Sequence, residues 1–285
     1  MIIDAHAHMF TTGTFKEMIG NAPERMLKAR KIPEKMMEGL KHDVKDNTAA
    51  WLEAMDRLGI EKTVFMATSP QSEEFAKFIN SSNRFVGFAK INPTLPDAVD
   101  TLKAELKAGM TGVKLYATSG RFDIGAQEAW PFYELCEKER IPITIHFGVT
   151  IELASNLNAG NPLNISRVIT EFPELKVAIA HFGAGFFRET LMLKYKRDNL
   201  FIETSGTNNW LPYQDNFLTL RDVFRKSLTV FGPQGIIFGT DTTIFPDGYR
   251  EHILKQQTDI LNELKVPKSD IEDIIYNNAK RAFGI

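Results

Sequence analysis

The sequence predicts a (β/α)₈ TIM barrel with a small helical insertion after the first strand, and three observations predict it. Eight short apolar runs, rich in Val, Ile and Phe and bounded by turn residues, recur along the 285 residues. Amphipathic segments fill the gaps between them. Polar residues stand at the carboxyl ends of the runs from one end of the chain to the other. Most runs are apolar throughout instead of alternating, the pattern of parallel strands covered on both faces. An open doubly wound sheet is the rival arrangement. The count of eight and the recurring polar strand ends favour the closed barrel, which about 250 residues suffice to build. No stretch reads as an interdomain linker, so residues 1–285 are expected to form one domain.

In chain order, the first run, "MIIDAHAH", carries Asp4, His6 and His8. Residues 9–46 follow, long for a strand-to-helix connection and rich in Met, Lys and Glu. They are expected to form one or two short helices: either a lid over the barrel mouth, with Met26, Met36 and Met37 packed against it, or a solvated excursion. The second and third runs, "KTVFMATS" and "RFVGFAKINP", bring Thr68 and Asn92 to strand ends. The segment "LPDAVDTLKAELKAG" has Pro96 near its start, Gly109 at its end and Val99, Leu102 and Leu106 on one face, as a helix does. The fourth run, "GVKLYAT", carries Lys114. In the helix after it, Cys136 is expected to pack instead of react, with no histidine nearby in sequence. The fifth run, "IPITIHFG", ends in His146, and the sixth, "KVAIAHFGAG", in His181. The glycines Gly183 and Gly185 are expected to make a tight turn in preference to a phosphate cradle. The runs "LFIETSG" and "GIIFGTDTT" complete the set, the last bringing Asp241, and "EHILKQQTDILNELK" reads as the final amphipathic helix before the C-terminal segment.

Hydrophobic residues make up 43% and charged residues 25%, as in a soluble globular domain, and the formal net charge is -2. That charge gives no basic field to attract nucleic acid or an anionic membrane. A single cysteine excludes an internal disulfide and points to a reducing cytoplasm. No signal peptide is evident, and no apolar run approaches the ~20 residues that span a bilayer.

Six histidines are present, and four of them fall at predicted strand ends. His6 and His8, two apart on one strand, share a face. In a barrel the carboxyl ends of strands 1, 5, 6 and 8 converge, which brings His146, His181 and Asp241 to the same rim. One such histidine is ordinary packing. Four with an aspartate would leave several buried polar groups seeking partners unless a cation holds them. His42 and His252 lie elsewhere and receive no role.

With these residues in place, the sequence resembles the metal-dependent amidohydrolase superfamily. The resemblance rests on "DAHAH", "HFG", "HFGAG" and "GTD" in order, and on the closing "NNAKRAFGI". The last is similar to the asparagine-rich final helix of the amidohydrolase-related branch, which includes aminocarboxymuconate-semialdehyde decarboxylase, related carboxy-lyases and lactone hydrolases. The resemblance implies that His6, His8, His146 and Asp241 ligate one metal and that His181 stays unligated and acts on water or substrate. Such a donor set suits a divalent transition metal, Zn²⁺ first, with Mn²⁺, Fe²⁺ and Co²⁺ as the others. It implies a hydrolase of an amide, lactone or ester that uses a metal-activated water, with Asp241 taking the proton through its second oxygen. The alternative is a non-oxidative decarboxylase of an aromatic or unsaturated carboxylic acid. His181, with a pKa expected near ambient pH, would orient the water or protonate an oxyanion. Asp4 is expected beside the site, hydrogen-bonded and not a ligand.

Lys114 keeps two readings open. In some subtypes a strand-4 lysine is carboxylated and bridges two metals; with one metal, Lys114 is a substrate contact or a rim lysine. The partner implied is a small molecule, and homodimers are common in this class. Arg121 and Arg188, in loops after strands 4 and 6, and Trp210 are expected to bind a carboxylated substrate. The aromatic wall is drawn from Phe10, Phe147, Phe182, Phe186, Trp210 and Phe245. A structural metal in a barrel without catalysis is disfavoured by the unligated His181.

Overall fold

The fold is seen in a computed structural model, in which residues 1–19, 39–150, 155–198 and 200–285 are described. All eight apolar runs are strands. They are β1 (Ile2–His8), β2 (Ile60–Met66), β3 (Phe85–Lys90), β4 (Met110–Tyr116), β5 (Ile143–His146), β6 (Val177–Ile179) and β7 (Leu200–Glu203), while the eighth run divides into β8 (Ile236–Ile237) and β9 (Thr242–Thr243). Every pairing among them is parallel, in the order β8-β7-β6-β5-β4-β3-β2-β1-β9. Because β8 and β9 belong to one segment, that segment closes the ring: it pairs with β7 at its start and β1 at its end. Between the two pieces, Ala5 N–H donates to the Phe238 carbonyl (3.0 Å) and Asp241 N–H to the His6 carbonyl (2.8 Å).

Helices cover the outside. Val44–Leu58 begins on a capping box, Asp43 with Asp46, and ends at Gly59 in the left-handed region (φ 66°). Ala98–Lys107, Trp130–Lys138 and Glu251–Glu263 fall where the apolar spacing placed them. Cys136 is fully buried in the second of these, and burial pushes its thiol pKa up, so it packs as expected. Inside the barrel base, Ile3, Val64, Val86 and Phe88 pack on Tyr276 and Phe283 of the C-terminal segment. Phe88 and Phe283 meet edge to face at 5.0 Å. No helix among the described residues is long and apolar enough to cross a membrane.

Of the 9–46 insertion, a helix at Thr12–Ile19 is described, and so are residues 39–46. Its ends are tied together by Thr12 Oγ1 donating to the Leu40 carbonyl (2.6 Å), and His42 stacks on Phe245 at 3.6 Å. Met26, Met36 and Met37 lie outside the described residues.

Candidate active site

A cavity of about 800 Å³ opens at the carboxyl ends of the strands, where barrel enzymes keep their chemistry. His6, His8, His146, His181 and Asp241 all line it. The strand ends deliver them in different ways. β1 carries His6 and His8, and its register with β2 shifts between Asp4 and Ala7, an irregularity of the kind that re-aims side chains beside active sites. β5 ends on His146 itself. β6 stops at Ile179, so His181 sits past the strand in a left-handed turn with Phe182 (φ 56° and 54°). Asp241, between β8 and β9, is also left-handed (φ 58°). Such backbone costs about 1–2 kcal/mol per residue and persists where its surroundings enforce it.

The ring nitrogens identify what the site can hold. His8 Nδ1 donates to the Met66 carbonyl (3.0 Å), and His6 Nδ1 meets Glu203 Oε2 at 2.6 Å. Each ring therefore turns an unprotonated Nε2 toward Asp241 Oδ1, at 3.2 Å from His8 and 3.7 Å from His6. Lone pairs facing a carboxylate at this range call for a cation between them. These three residues offer ligand atoms within 4.8 Å of one another, and two imidazoles with one carboxylate fit a divalent transition metal. His146 shares the cavity but stands outside that group: its Nε2 donates to the Val149 carbonyl (3.1 Å), and its ring lies 4.9 Å from His181.

Burial governs the charges. It lowers the pKa of His6 and of His146, and brings that of His181 down to about 4, with the His6 charge adding to the effect. His181 is therefore neutral at ambient pH, below the value expected from sequence: it meets a substrate as an acceptor and must gain a proton before it can act as an acid. Burial opposes ionisation of Asp241, yet the surrounding histidines hold its carboxyl well below the usual carboxylate range. Asp4 is fully buried, with burial raising its pKa to about 6. It accepts from Thr240 Oγ1 (2.6 Å), Thr240 N–H (3.0 Å), Tyr249 Oη (2.8 Å) and His6 N–H (3.2 Å). These bonds occupy both of its carboxylate oxygens and tie β1 to the turn that carries Asp241.

Lys114 is fully buried, with Nζ 3.5 Å from His6 Nε2, and burial lowers its pKa to about 8. Neither it nor Arg121 nor Arg188 is among the cavity-lining residues. Arg121 is an exposed left-handed residue, and Arg188 is 83% exposed and pairs with Glu189. Of the expected aromatic wall, Phe10 and Trp210 line the cavity, whereas Phe147 and Phe182 are core residues and Phe245 stacks on His42. Phe186 and Asn92 do not line it either, while Thr68 does.

Among the described residues, the lysine and arginine that line it are Lys90 and Arg250. Lys90 Nζ donates to the Thr68 carbonyl (2.8 Å) and lies 5.4 Å from the Tyr116 ring centroid; Arg250 Nη1 lies 3.8 Å from Asp241 Oδ2. Lys90 is the last residue of β3, so the strand-end rule that found His146 could have found it. On the wall near Trp210, buried Asn208 Oδ1 and Trp210 Nε1 have no hydrogen-bond partner among the described residues. Glu203 and Ser205 also escaped the sequence reading. Glu203, fully buried at the end of β7, touches a residue 197 positions away, a proximity no local pattern records.

A closed parallel barrel with histidines and a carboxylate gathered at its carboxyl rim is an enzyme scaffold. The chain belongs to the Amidohydrolase family, whose model matches residues 3–285. No curated relative matches the chain. Among solved structures, it is similar to a probable 2-pyrone-4,6-dicarboxylic acid hydrolase from Acinetobacter baumannii (18% identity, TM-score 0.70, covering 100% of this chain and 99% of that one). It is also similar to 5-carboxyvanillate decarboxylase from Sphingomonas paucimobilis (16%, TM-score 0.67, 100% and 99%). A third is an amidohydrolase from Burkholderia multivorans with bound zinc (11%, TM-score 0.69, 100% and 99%).

Proposed function

We propose that the protein is a metal-dependent hydrolase of an amide, lactone or ester in a small carboxylated substrate. The observation that carries this reading is the convergence of His6 Nε2, His8 Nε2 and Asp241 Oδ1 beside the neutral His181 at the floor of the cavity. In it, His6, His8 and Asp241, joined by His146, hold one divalent ion, Zn²⁺ in preference to Mn²⁺, Fe²⁺ or Co²⁺. A metal of this kind makes water nucleophilic at neutral pH and polarises a carbonyl. The chain supplies the rest. Asp241 accepts a proton on its second oxygen, and His181 Nε2 accepts one and returns it to the leaving group. Lys90 and Arg250 hold the substrate carboxylate, taking the part expected of Arg121 and Arg188, while the Trp210 ring forms part of the wall beside it. Lys114 acts through its charge behind His6.

Non-oxidative decarboxylation is the second reading, supported by the likeness to a carboxyvanillate decarboxylase. One experiment separates the two. The zinc-loaded protein is offered lactones, N-acyl compounds and aromatic carboxylates in H₂¹⁸O. Hydrolysis places ¹⁸O in the product acid. CO₂ release with a solvent proton on carbon and no ¹⁸O in the organic product assigns the lyase instead. Two metal equivalents per chain, with a lysine heavier by CO₂ at Lys114, would overturn the single-metal site.

A further inference from the structure

We propose that Glu203 is a positioning residue that serves both halves of the site: it fixes the tautomer of His6, and through the Ser205 hydroxyl it holds His181. The proposal deepens the metal-site reading above. Its tautomer prediction, however, concerns the polypeptide alone.

The geometry is closed on every side. Glu203 is fully buried, and its two oxygens accept three hydrogen bonds: from His6 Nδ1 (2.6 Å) and Ser205 Oγ (2.9 Å) on Oε2, and from Ser205 N–H (2.5 Å) on Oε1. Burial raises the pKa of Glu203, and the Ser205 donors and the charge of buried Lys114 work against that rise and favour the carboxylate. With its proton given to Glu203, the Ser205 hydroxyl can only accept from His181 Nδ1, 2.7 Å away; the Ser205 carbonyl, at 3.2 Å from the same nitrogen, is also an acceptor. Nδ1 of His181 therefore carries the proton. Both rings end as Nδ1–H tautomers with Nε2 unprotonated: that of His6 faces Asp241 Oδ1 with Lys114 Nζ 3.5 Å away, and that of His181 is left to a substrate. Carboxylate partners of this kind fix the orientation of ligating histidines and raise their basicity.

Room for this arrangement comes from Gly239. A Cβ there would lie 2.6 Å from Glu203 Oε1 and 3.0 Å from the His6 Cβ, so no side chain fits between the strands at this point.

Glu203, His6 and His181 also have ligand atoms close enough to grip an ion by themselves. An ion held through the Nδ1 atoms, the nitrogens that face Glu203 and Ser205, would displace the protons that the hydrogen bonds assign to them. The two arrangements thus predict opposite protonation at the same atoms.

The test is a long-range ¹H–¹⁵N correlation spectrum of ¹⁵N-histidine-labelled full-length protein, stripped of metal with chelator, beside zinc titrations of wild type, E203Q and S205A. In the wild type, His6 and His181 show protonated Nδ1 and unprotonated Nε2. E203Q brings up the Nε2–H form of His6 and weakens zinc binding about 10- to 100-fold. S205A, which removes one oxygen, keeps wild-type zinc affinity and an unchanged His6 signal. Its His181 Nδ1–H proton moves upfield and exchanges faster with water. An Nε2–H tautomer at either histidine in the wild type overturns the proposal, as do Nδ1 atoms bound by zinc. So does a zinc affinity in S205A as low as in E203Q, because that would make Ser205 a packing residue. If the wild type binds no divalent metal, the hydrolase reading fails while the tautomers are still read in the metal-free spectrum.

Discussion

The base and the rim of this barrel are equally buried and held together by different means. At the base, Ile3, Val64, Val86 and Phe88 close against Phe283 and the ring of Tyr276 through apolar contact. At the rim, Asp4, His6, Lys114 and Glu203 are each fully buried and charged or polar, and each has partners within hydrogen-bond range. Burial of apolar surface is non-directional, so the base tolerates imprecision. An ionisable group in the same dry interior demands a particular partner at a particular atom. One end of the cylinder therefore stores stability and the other specificity, and substitutions should separate the two.

The largest effect falls at the rim. Asp241→Asn removes the charge that faces both His6 and His8, and is expected to leave less than about a tenth of the bound metal and only background turnover. Metal content by mass spectrometry and a melting curve check it together: metal is lost while the metal-free protein melts close to the metal-free wild type. Phe283→Ala tests the opposite end. Removing a buried ring packed on Phe88 is expected to cost ~3–5 kcal/mol of unfolding free energy. Metal bound per folded chain should stay at the wild-type level, read by denaturant titration and metal analysis of the same preparation.

The same contrast explains what the sequence could disclose. The base is written in local pattern: apolar runs and amphipathic spacings placed every strand and the helices at Ala98–Lys107 and Glu251–Glu263 where they are found. His146 was legible because it directly ends an apolar run. The left-handed turns at His181 and Asp241 were not, because non-glycine residues there show no compositional mark and are held by their surroundings. Glu203 was illegible for a different reason. One acid after "LFI" looks like the ordinary end of a strand, and only closure of the ring brings it to His6. The loop arginines misled because position after a strand does not set direction: Arg188 lies in the helix Phe187–Lys194 and points its charge to solvent, paired with Glu189.

Between the extremes lies the clasp under the rim. Tyr249 Oη donates to buried Asp4, which also holds Thr240 next to Asp241. Tyr249→Phe deletes that donor alone and is expected to lower stability by ~1–2 kcal/mol, since a hydrogen bond to a buried carboxyl is lost while the ring still packs against Trp51. If the clasp orients the Asp241 turn, metal affinity falls with it; a stability loss without any change in affinity would place Tyr249 with the base residues.

The smallest effect sharpens the comparison from the solvent side. Arg84 also makes charge-assisted contacts, to Asp56 (2.5 Å) and to the carbonyls of Ile60 (2.7 Å) and Glu61 (3.3 Å) at the start of β2, but Asp56 is 72% exposed. Water competes for both partners and salt screens them, so Asp56→Asn is expected to shift stability by less than ~1 kcal/mol and to leave metal binding untouched. A short ion pair on the outside and the buried His6–Glu203 pair look alike as distances; solvent access alone makes one dispensable. A loss of several kcal/mol in Asp56→Asn, measured in denaturant at physiological salt, would mean that burial is not what divides the two ends of this barrel.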